Sequence, residues 1–258
     1  MCYLASMNRI VLILLLVSSG ISHTGCEQLY AEWAFDRVRE AQALGDFDEM
    51  LRLSLPLAQK SGDYQFQFLV FTGRAYRGKG AYRSAERVAE YGLTRARDDL
   101  ERSEFYDQLA EIHAVAERDS LARHYARLSV EADPSDVIKW NNWGHTCIQL
   151  EDYTEAIRIF DAAAARFPPH PYILNNRAEA HLSLGQLVEA DADMRASHAL
   201  EPRNPYLYKN KARYYQQLDE PALMCENARR AASLFSEAFG YAYDQAAIRE
   251  LLSDCGLE

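Results

Sequence analysis

The chain has 258 residues, of which 48% are hydrophobic, and a formal net charge of −10. The apolar content is enough for a large buried core. The acidic balance favours solubility and argues against a general nucleic-acid-binding protein, which would present a basic surface. The sequence contains no HExxH, GxSxG or CxxC motif, so we expect no enzymatic activity, no cofactor and no metal site.

The first 26 residues differ in kind from the rest of the chain. Arg9 is their only charged residue, Ile10 to Val17 form an uninterrupted apolar run, and small and polar residues precede Cys26. This order is typical of an export signal. The apolar run is also shorter than the roughly 20 residues that a membrane-spanning helix needs. We therefore predict that residues 1–26 are a signal peptide and that the protein is exported.

The end of this segment, Thr24-Gly25-Cys26, resembles the cleavage box of bacterial lipoproteins, although His23 stands where that family usually has an aliphatic residue. The resemblance implies that Cys26 is lipidated and becomes the first mature residue. With Glu27 next, it also implies a periplasm-facing lipoprotein of the outer membrane, within the bacterial cell envelope. Ordinary signal cleavage nearby, with Cys26 unmodified, is the alternative.

The rest of the chain repeats with a period of 34 residues. Prolines keep this step at Pro134, Pro168 and Pro202. Small residues and asparagines keep it as well, at Ala110, Gly144, Ala178 and Ala212; at Ala122, Ala156 and Ala190; and at Asn142, Asn176 and Asn210. A fixed period of this length indicates stacked helical pairs.

One such block, Val137 to His170, resembles a tetratricopeptide repeat. The resemblance rests on Trp140, Trp143, Gly144, Tyr153, Ala156, Phe160, Ala163 and Pro168. It implies an all-α fold over residues 27–258, a right-handed superhelix (α-solenoid) of about six helix-turn-helix units with a C-terminal capping helix at 241–252. The units fall at about 31–64, 66–99, 103–136, 137–170, 171–204 and 205–238.

Several local features depart from this regular pattern. We expect the first helix at Glu32 to Ala43, a second helix kinked or interrupted near Pro56, and a short insertion at Leu100 to Arg102 that shifts the register. His113 and His181 take an inward position of their units, where core packing is favoured over metal ligation, and Cys147 is expected to be a buried free thiol. Cys225 and Cys255 meet only if the terminal helix packs back on the last pair.

The candidate binding residues lie on the first helix of three successive units. In the tetratricopeptide family these helices line a concave groove, and an amide offers a donor pair and an acceptor that match the backbone of an extended peptide. The alternative is that asparagine at this position bonds the adjacent helix. The candidates are Asn142, Asn176 and Asn210, with Asn141, Asn175, His145, Glu179, Lys209, Arg213, Tyr172 and Tyr206 around them.

The functional expectation is a non-catalytic adaptor, tethered to the membrane through Cys26, that binds an extended or helical segment of another protein. The architecture is similar to that of lipoproteins which assist pilus or secretion assembly, and of repeat lipoproteins that bring envelope proteases to cell-wall hydrolases. A permanent structural subunit of an envelope complex, which a large exposed apolar patch would favour, stays open. So does an enzyme with an unrecognised site, which a cluster of perturbed titratable groups would favour.

Overall fold

The computed structural model describes residues 23–60, 62, 64–239 and 245–255, without the side chains of residues 23–26, 236–239 and 245–247. Residues 1–22 of the predicted signal peptide (1–26) and the side chain of Cys26 therefore lie outside the described residues. Within the described ranges the chain forms thirteen α-helices and no strand. It divides into two compact units, Met1–Ile112 and His113–Glu258. We describe each by itself.

The helices follow one another along the chain with short connections, and within each unit successive helices contact one another. They are α1 (His23–Leu44), α2 (Phe47–Ala58), α3 (Gln65–Gly78), α4 (Tyr82–Arg95), α5 (Asp99–Val115), α6 (Asp119–Ala132), α7 (Val137–Gln149), α8 (Tyr153–Arg166), α9 (Pro171–Ser183), α10 (Leu187–Leu200), α11 (Pro205–Gln217), α12 (Pro221–Phe239) and α13 (Gln245–Ser253).

The first unit stacks its helices in chain order around a core that includes Val38, Met50, Leu53 and Phe68. A glycine lets two of these helices approach closely. A Cβ atom added at Gly92 would lie 2.3 Å from the ring of Phe105, so no larger residue fits there without movement. Close packing of a small residue against a large one is what a helical pair needs at its crossing.

Two expectations for this unit need correction, and the third, the insertion at Leu100 to Arg102, lies within a helix. Helix α1 begins at His23, earlier than Glu32. Helix α2 is continuous through Pro56 and ends two residues later, so the proline lies in the last turn and does not interrupt the helix. Residues Leu100 to Arg102 are the first turn of α5, where Asp98 accepts a hydrogen bond from the Glu101 backbone N–H at 2.8 Å. The extra residues therefore lengthen a helix.

The second unit contains the regular repeats. Helices α7, α9 and α11 are the first helices of three successive pairs, and α9 contacts both α7 and α11. The core of the pairs includes Ile159, Phe160, Leu182 and Leu207, each no more than 1% exposed. The all-α solenoid of helical pairs that the family resemblance implied is confirmed in each unit.

The turns between paired helices use the left-handed backbone conformation. Glu117, Glu151, Gly185 and Asp219, each one period from the next, have φ values of 55°, 57°, 70° and 56°. This conformation is unfavourable for residues other than glycine. Three of the four turns therefore hold an acidic residue where glycine would fit best.

Helix α13 covers the end of the last pair, with Ile248 and Leu251 buried against α11 and α12. Cys225 on α12 and Cys255 after α13 form a disulfide, with Cα atoms 5.6 Å apart. The terminal segment does pack back on the last pair, which was the condition for these cysteines to meet. Within the described residues, no helix combines the length and the apolar character that crossing a bilayer requires.

The inward histidines and the free cysteine take packing positions. His113 is 3% exposed and stacks on Tyr125 with ring centroids 5.3 Å apart. The Nδ1 atom of His181 lies 2.6 Å from Oε1 of Gln186. Cys147 is a buried free thiol, and burial raises its pKa to about 11. At neutral pH this sulfur is protonated and unreactive.

Candidate functional site

A cavity of about 580 Å³ opens between the first helices α7, α9 and α11 and the loop that precedes α11. A concave site of this size suits a peptide segment or a small ligand. Its lining consists of Asn141, Asn142, His145, Ile148, Gln149, Tyr172, Asn175, Asn176, Glu179, Glu201, Arg203, Asn204, Pro205, Tyr206 and Lys209. We refer to this space as the cavity.

Nine of the eleven candidate residues named from the sequence line the cavity, and Asn210 and Arg213 do not. The period of 34 residues explains why so many of them meet. Residues one period apart occupy the same face of successive first helices, and those helices lie side by side. Contact of these residues with a ligand stays a prediction.

The asparagine side chains mostly bond to one another. Nδ2 of Asn176 donates to Oδ1 of Asn141 at 2.9 Å. Nδ2 of Asn210 donates to the backbone oxygen of Asn175 at 3.0 Å and to its Oδ1 at 3.1 Å. Asn210 is fully buried, which corrects its expected place on the groove wall. For Asn176 and Asn210, therefore, the amides tie adjacent first helices together, which was the alternative interpretation of the asparagine row.

The charged candidates form a closed cluster. Oε1 of Glu179 accepts from Nζ of Lys209 at 3.3 Å and from Nη1 of Arg213 at 3.2 Å. Arg213 also donates to Oγ of Ser183 at 3.3 Å. Both side chains of the Glu179–Lys209 pair are nearly buried, with 15% and 8% of their surfaces exposed. These ion pairs connect α9 to α11 along one side of the cavity.

The two tyrosines differ in how much ring they present. Tyr206 packs edge-on against Phe235, with centroids 4.8 Å apart, and carries the Lys209 ammonium 5.7 Å from its ring centre. Tyr172 is 43% exposed. Burial of its other parts, and secondarily the negative charge of Glu201, raise the pKa of the Tyr172 hydroxyl. Of the two, Tyr172 therefore presents the more exposed ring to a ligand.

Glu201, Arg203 and Asn204 line the cavity but were not among the sequence candidates. They belong to the loop between α10 and α11. Asn204 is the N-cap of α11, and its Oδ1 accepts from the Tyr206 backbone N–H at 3.0 Å. An asparagine directly before Pro205 is a cap signal visible in the sequence. The sequence analysis looked for ligand contacts only on the first helices, so it missed this loop.

Two polar atoms of this loop have no hydrogen-bond partner among the described residues. They are Nδ2 of Asn204 and Oε2 of Glu201, both buried. A buried polar atom without a partner is rare because it has lost its water without compensation. Their position on the cavity lining makes the loop the part of the site with unused hydrogen-bonding capacity.

The fold is similar to that of several solved tetratricopeptide repeat structures. It is similar to a tetratricopeptide repeat protein from Parabacteroides merdae, with a TM-score of 0.60 and 16% identity over 88% of this chain and 98% of that one. It is also similar to PilW, described as a widely conserved type IV pilus biogenesis factor, with a TM-score of 0.58 and 19% identity over 74% of this chain and 92% of PilW.

A third similar structure is a thermophilic tetratricopeptide repeat protein from Thermus thermophilus, with a TM-score of 0.57 and 17% identity over 74% of this chain and all of that one (100%). No protein-family model and no curated protein sequence matches this chain. At these identities the likeness establishes the fold, and function has to be argued from the site.

Proposed function

We propose that this protein is a protein-interaction adaptor that holds a segment of a partner protein in the cavity between α7, α9 and α11. The observation that carries the proposal is a ready-formed cavity of about 580 Å³ whose walls are fixed by hydrogen bonds between successive first helices. A site that is already ordered loses little conformational entropy when it binds. Tyr172 supplies flat contact area, and the loop before α11 supplies hydrogen bonds.

The charge of the cavity supports an uncharged contact surface on the partner. Two acidic lining residues, Glu179 and Glu201, balance two basic ones, Arg203 and Lys209. The asparagine amides of α7 and α9 are polar without being charged. Such a lining matches the main chain and neutral side chains of a peptide better than a highly charged segment.

A photocrosslinking experiment tests this proposal. A photoreactive amino acid is placed at Tyr172, which is 43% exposed, and as a control at Tyr91 in the first unit, which is 45% exposed. Ultraviolet light should join the Tyr172 variant to one or a few proteins in living cells, and leave the Tyr91 variant without those adducts. The same adducts at both positions, or none at Tyr172, would contradict a partner in the cavity.

We further propose that the protein is exported and held at the outer membrane by a lipid on Cys26. The support is the layout of residues 1–26. The Cys225–Cys255 disulfide adds to it, since such bonds persist in oxidising compartments such as the periplasm. Feeding cells a palmitate analogue should label the wild type but not Cys26→Ala. Equal labelling of both would rule out the lipid anchor.

A role in pilus or secretion assembly is the particular form of this proposal that the shared fold with PilW favours. Deletion of the gene should then reduce surface pili or secretion. Normal piliation and secretion in the deletion strain would direct attention to the other envelope role, an adaptor between proteases and cell-wall hydrolases.

A permanent subunit of an envelope complex is the second candidate. Exposed apolar side chains favour it, because Val188 is 80% exposed and Leu184 and Leu218, at the ends of successive first helices, are each 42% exposed. A permanent subunit should elute from gel filtration of solubilised membranes only as part of a large complex. An adaptor that captures its partner transiently should show a free fraction.

A further inference from the structure

We propose that Glu201 and Asn204 form a subsite that recognises the side-chain carboxamide of a glutamine or asparagine in the bound segment. The inference rests on the proposed function, because it concerns the segment that the cavity would hold. It names the chemistry of one residue of that partner.

The two residues lie together at one end of the cavity. Both belong to the loop between α10 and α11, and the backbone N–H of Asn204 donates to the backbone oxygen of Glu201 at 3.3 Å. Both line the cavity with Tyr172 and Tyr206. Burial, and secondarily the charge of Glu201, raise the pKa of the Tyr172 hydroxyl, so this tyrosine and Glu201 interact across the lining.

The subsite has one unused donor and one unused acceptor. The Asn204 side chain is 2% exposed, its Oδ1 is occupied in capping α11, and its Nδ2 has no partner within the described residues. Oε2 of Glu201 is likewise buried without a partner there. By contrast, Nδ2 of Asn176 and of Asn210 already donates to another asparagine. A ligand can therefore form more new hydrogen bonds with this loop than with the asparagines of the helices.

Both atoms can be satisfied only by a group that donates and accepts, and among side chains the carboxamide places these two functions on separate atoms while a hydroxyl has one oxygen for both. A carboxamide carries an acceptor oxygen and an NH₂ donor on one planar group, so it can accept from Asn204 and donate to Glu201. An ammonium or guanidinium group only donates, which leaves Nδ2 of Asn204 unmet. A carboxylate only accepts and would be repelled by Glu201. The methylene stem of a glutamine would pack on the exposed ring of Tyr172.

The test is selection from a display library of random 12-residue peptides on the purified full chain. Glutamine or asparagine should be enriched about tenfold at one position of the retained peptides, the ratio that one additional satisfied hydrogen-bonding pair gives. Tyr172→Ala should weaken retention overall, which links the selected peptides to the cavity.

The variant Asn204→Asp separates recognition from folding. It keeps the oxygen that caps α11 and replaces only the Nδ2 donor by a second acceptor. With two acceptors facing the ligand, the preference should move from glutamine and asparagine to lysine and arginine. The matched control is Asn227→Asp, because Nδ2 of Asn227 donates to the backbone oxygen of Leu223, outside the cavity. This control should keep the wild-type preference.

The outcomes separate the two proposals. Peptides that depend on Tyr172 but show no carboxamide position, or show lysine or arginine there in the wild type, would overturn this inference and leave the adaptor function standing. So would an unchanged glutamine and asparagine preference in Asn204→Asp. If the folded wild type retains no peptide at all, the proposed function fails and this inference fails with it.

Discussion

The pairs α7–α8 and α9–α10 occupy equivalent places one period apart, yet they fill their interiors differently. In the first pair Trp143 packs with the buried Ile159 in an apolar cluster. In the second pair the equivalent residues are Arg177 and Asp193, which form an ion pair with N–O distances of 2.6 and 2.8 Å. The two helices pack against each other in both pairs. At this place in the repeat, the two side chains therefore have to fit together but do not have to be apolar.

The same comparison holds at the helix crossing. Gly144 meets the ring of Phe160 in the first pair, where an added Cβ would lie 2.3 Å from the ring. One period later the two positions hold Ala178 and Met194, both buried. The extra methyl of Ala178 is accommodated because Met194 is narrower and more flexible than the phenylalanine at the equivalent position. The two pairs therefore keep a similar total side-chain volume at this contact, although they fill it with different residue types.

Removal of one partner of the ion pair should have the largest effect. In Asp193→Ala the Arg177 guanidinium, whose side chain is 20% exposed, loses two hydrogen bonds and keeps only the more exposed Asp161. Asp193 is the main cause of the raised pKa of Arg177. We expect a loss of about 3 kcal/mol in the free energy of unfolding, the low end for breaking a buried ion pair, because Asp161 still pairs with the guanidinium. Urea denaturation measures it.

A matched control for that experiment is Asp161→Ala, which removes the exposed partner of the same arginine. It should cost well under about 1 kcal/mol, as surface ion pairs do. Similar losses for Asp161→Ala and Asp193→Ala would show that burial does not distinguish these two contacts.

The variant Gly144→Ala should have the next largest effect. Its new methyl would overlap the fully buried ring of Phe160, and we expect a loss of about 2 kcal/mol from overpacking. Adding Phe160→Met copies the contact of the next pair and should recover most of the loss. The thermal midpoints of the single and double variants give the comparison. A double variant no more stable than Gly144→Ala would contradict the idea that the two positions are matched in volume.

A smaller gain is expected at the turns. Glu151 has φ 57° where the equivalent Gly185 has φ 70°. In Glu151→Gly the strain of the left-handed conformation disappears, and the unfolding free energy should rise by about 1 kcal/mol. The reverse change, Gly185→Ala, should lower it by a similar amount although no atom lies within 4 Å of the added Cβ. If both variants have the wild-type free energy of unfolding in urea, strain in these turns does not affect stability.

The smallest change is expected when the whole ion pair is replaced by its apolar equivalent. Arg177→Trp combined with Asp193→Ile copies the residues of the first pair into the second. Such replacements of buried ion pairs are often neutral or stabilising, so we expect a shift within about 1 kcal/mol. A loss as large as that of Asp193→Ala alone would show that the ion pair itself, and not only its completeness, is needed.

The repeat period was enough to predict stacked helical pairs, and the resemblance to tetratricopeptide repeats implied which helices face the cavity. It could not say how the amides use their hydrogen bonds. Asn176 and Asn210 share a sequence position, but Asn176 lines the cavity while Asn210 is buried against Asn175. Which atom an amide bonds depends on the distance between neighbouring helices. Glu201 and Asn204 were missed for a related reason, since the cap signal at Asn204 does not show that this loop lines the cavity.

The terminal disulfide affects how the helices at the carboxyl-terminal end unfold. In a one-dimensional stack each pair is supported by its neighbours, so the outermost elements open first. Cys225–Cys255 ties the last described helix to the pair beneath it and closes a loop of 30 residues. Fraying from the carboxyl-terminal side is thereby held back while the crosslink is intact, which keeps the helices nearest the cavity from losing their outer support.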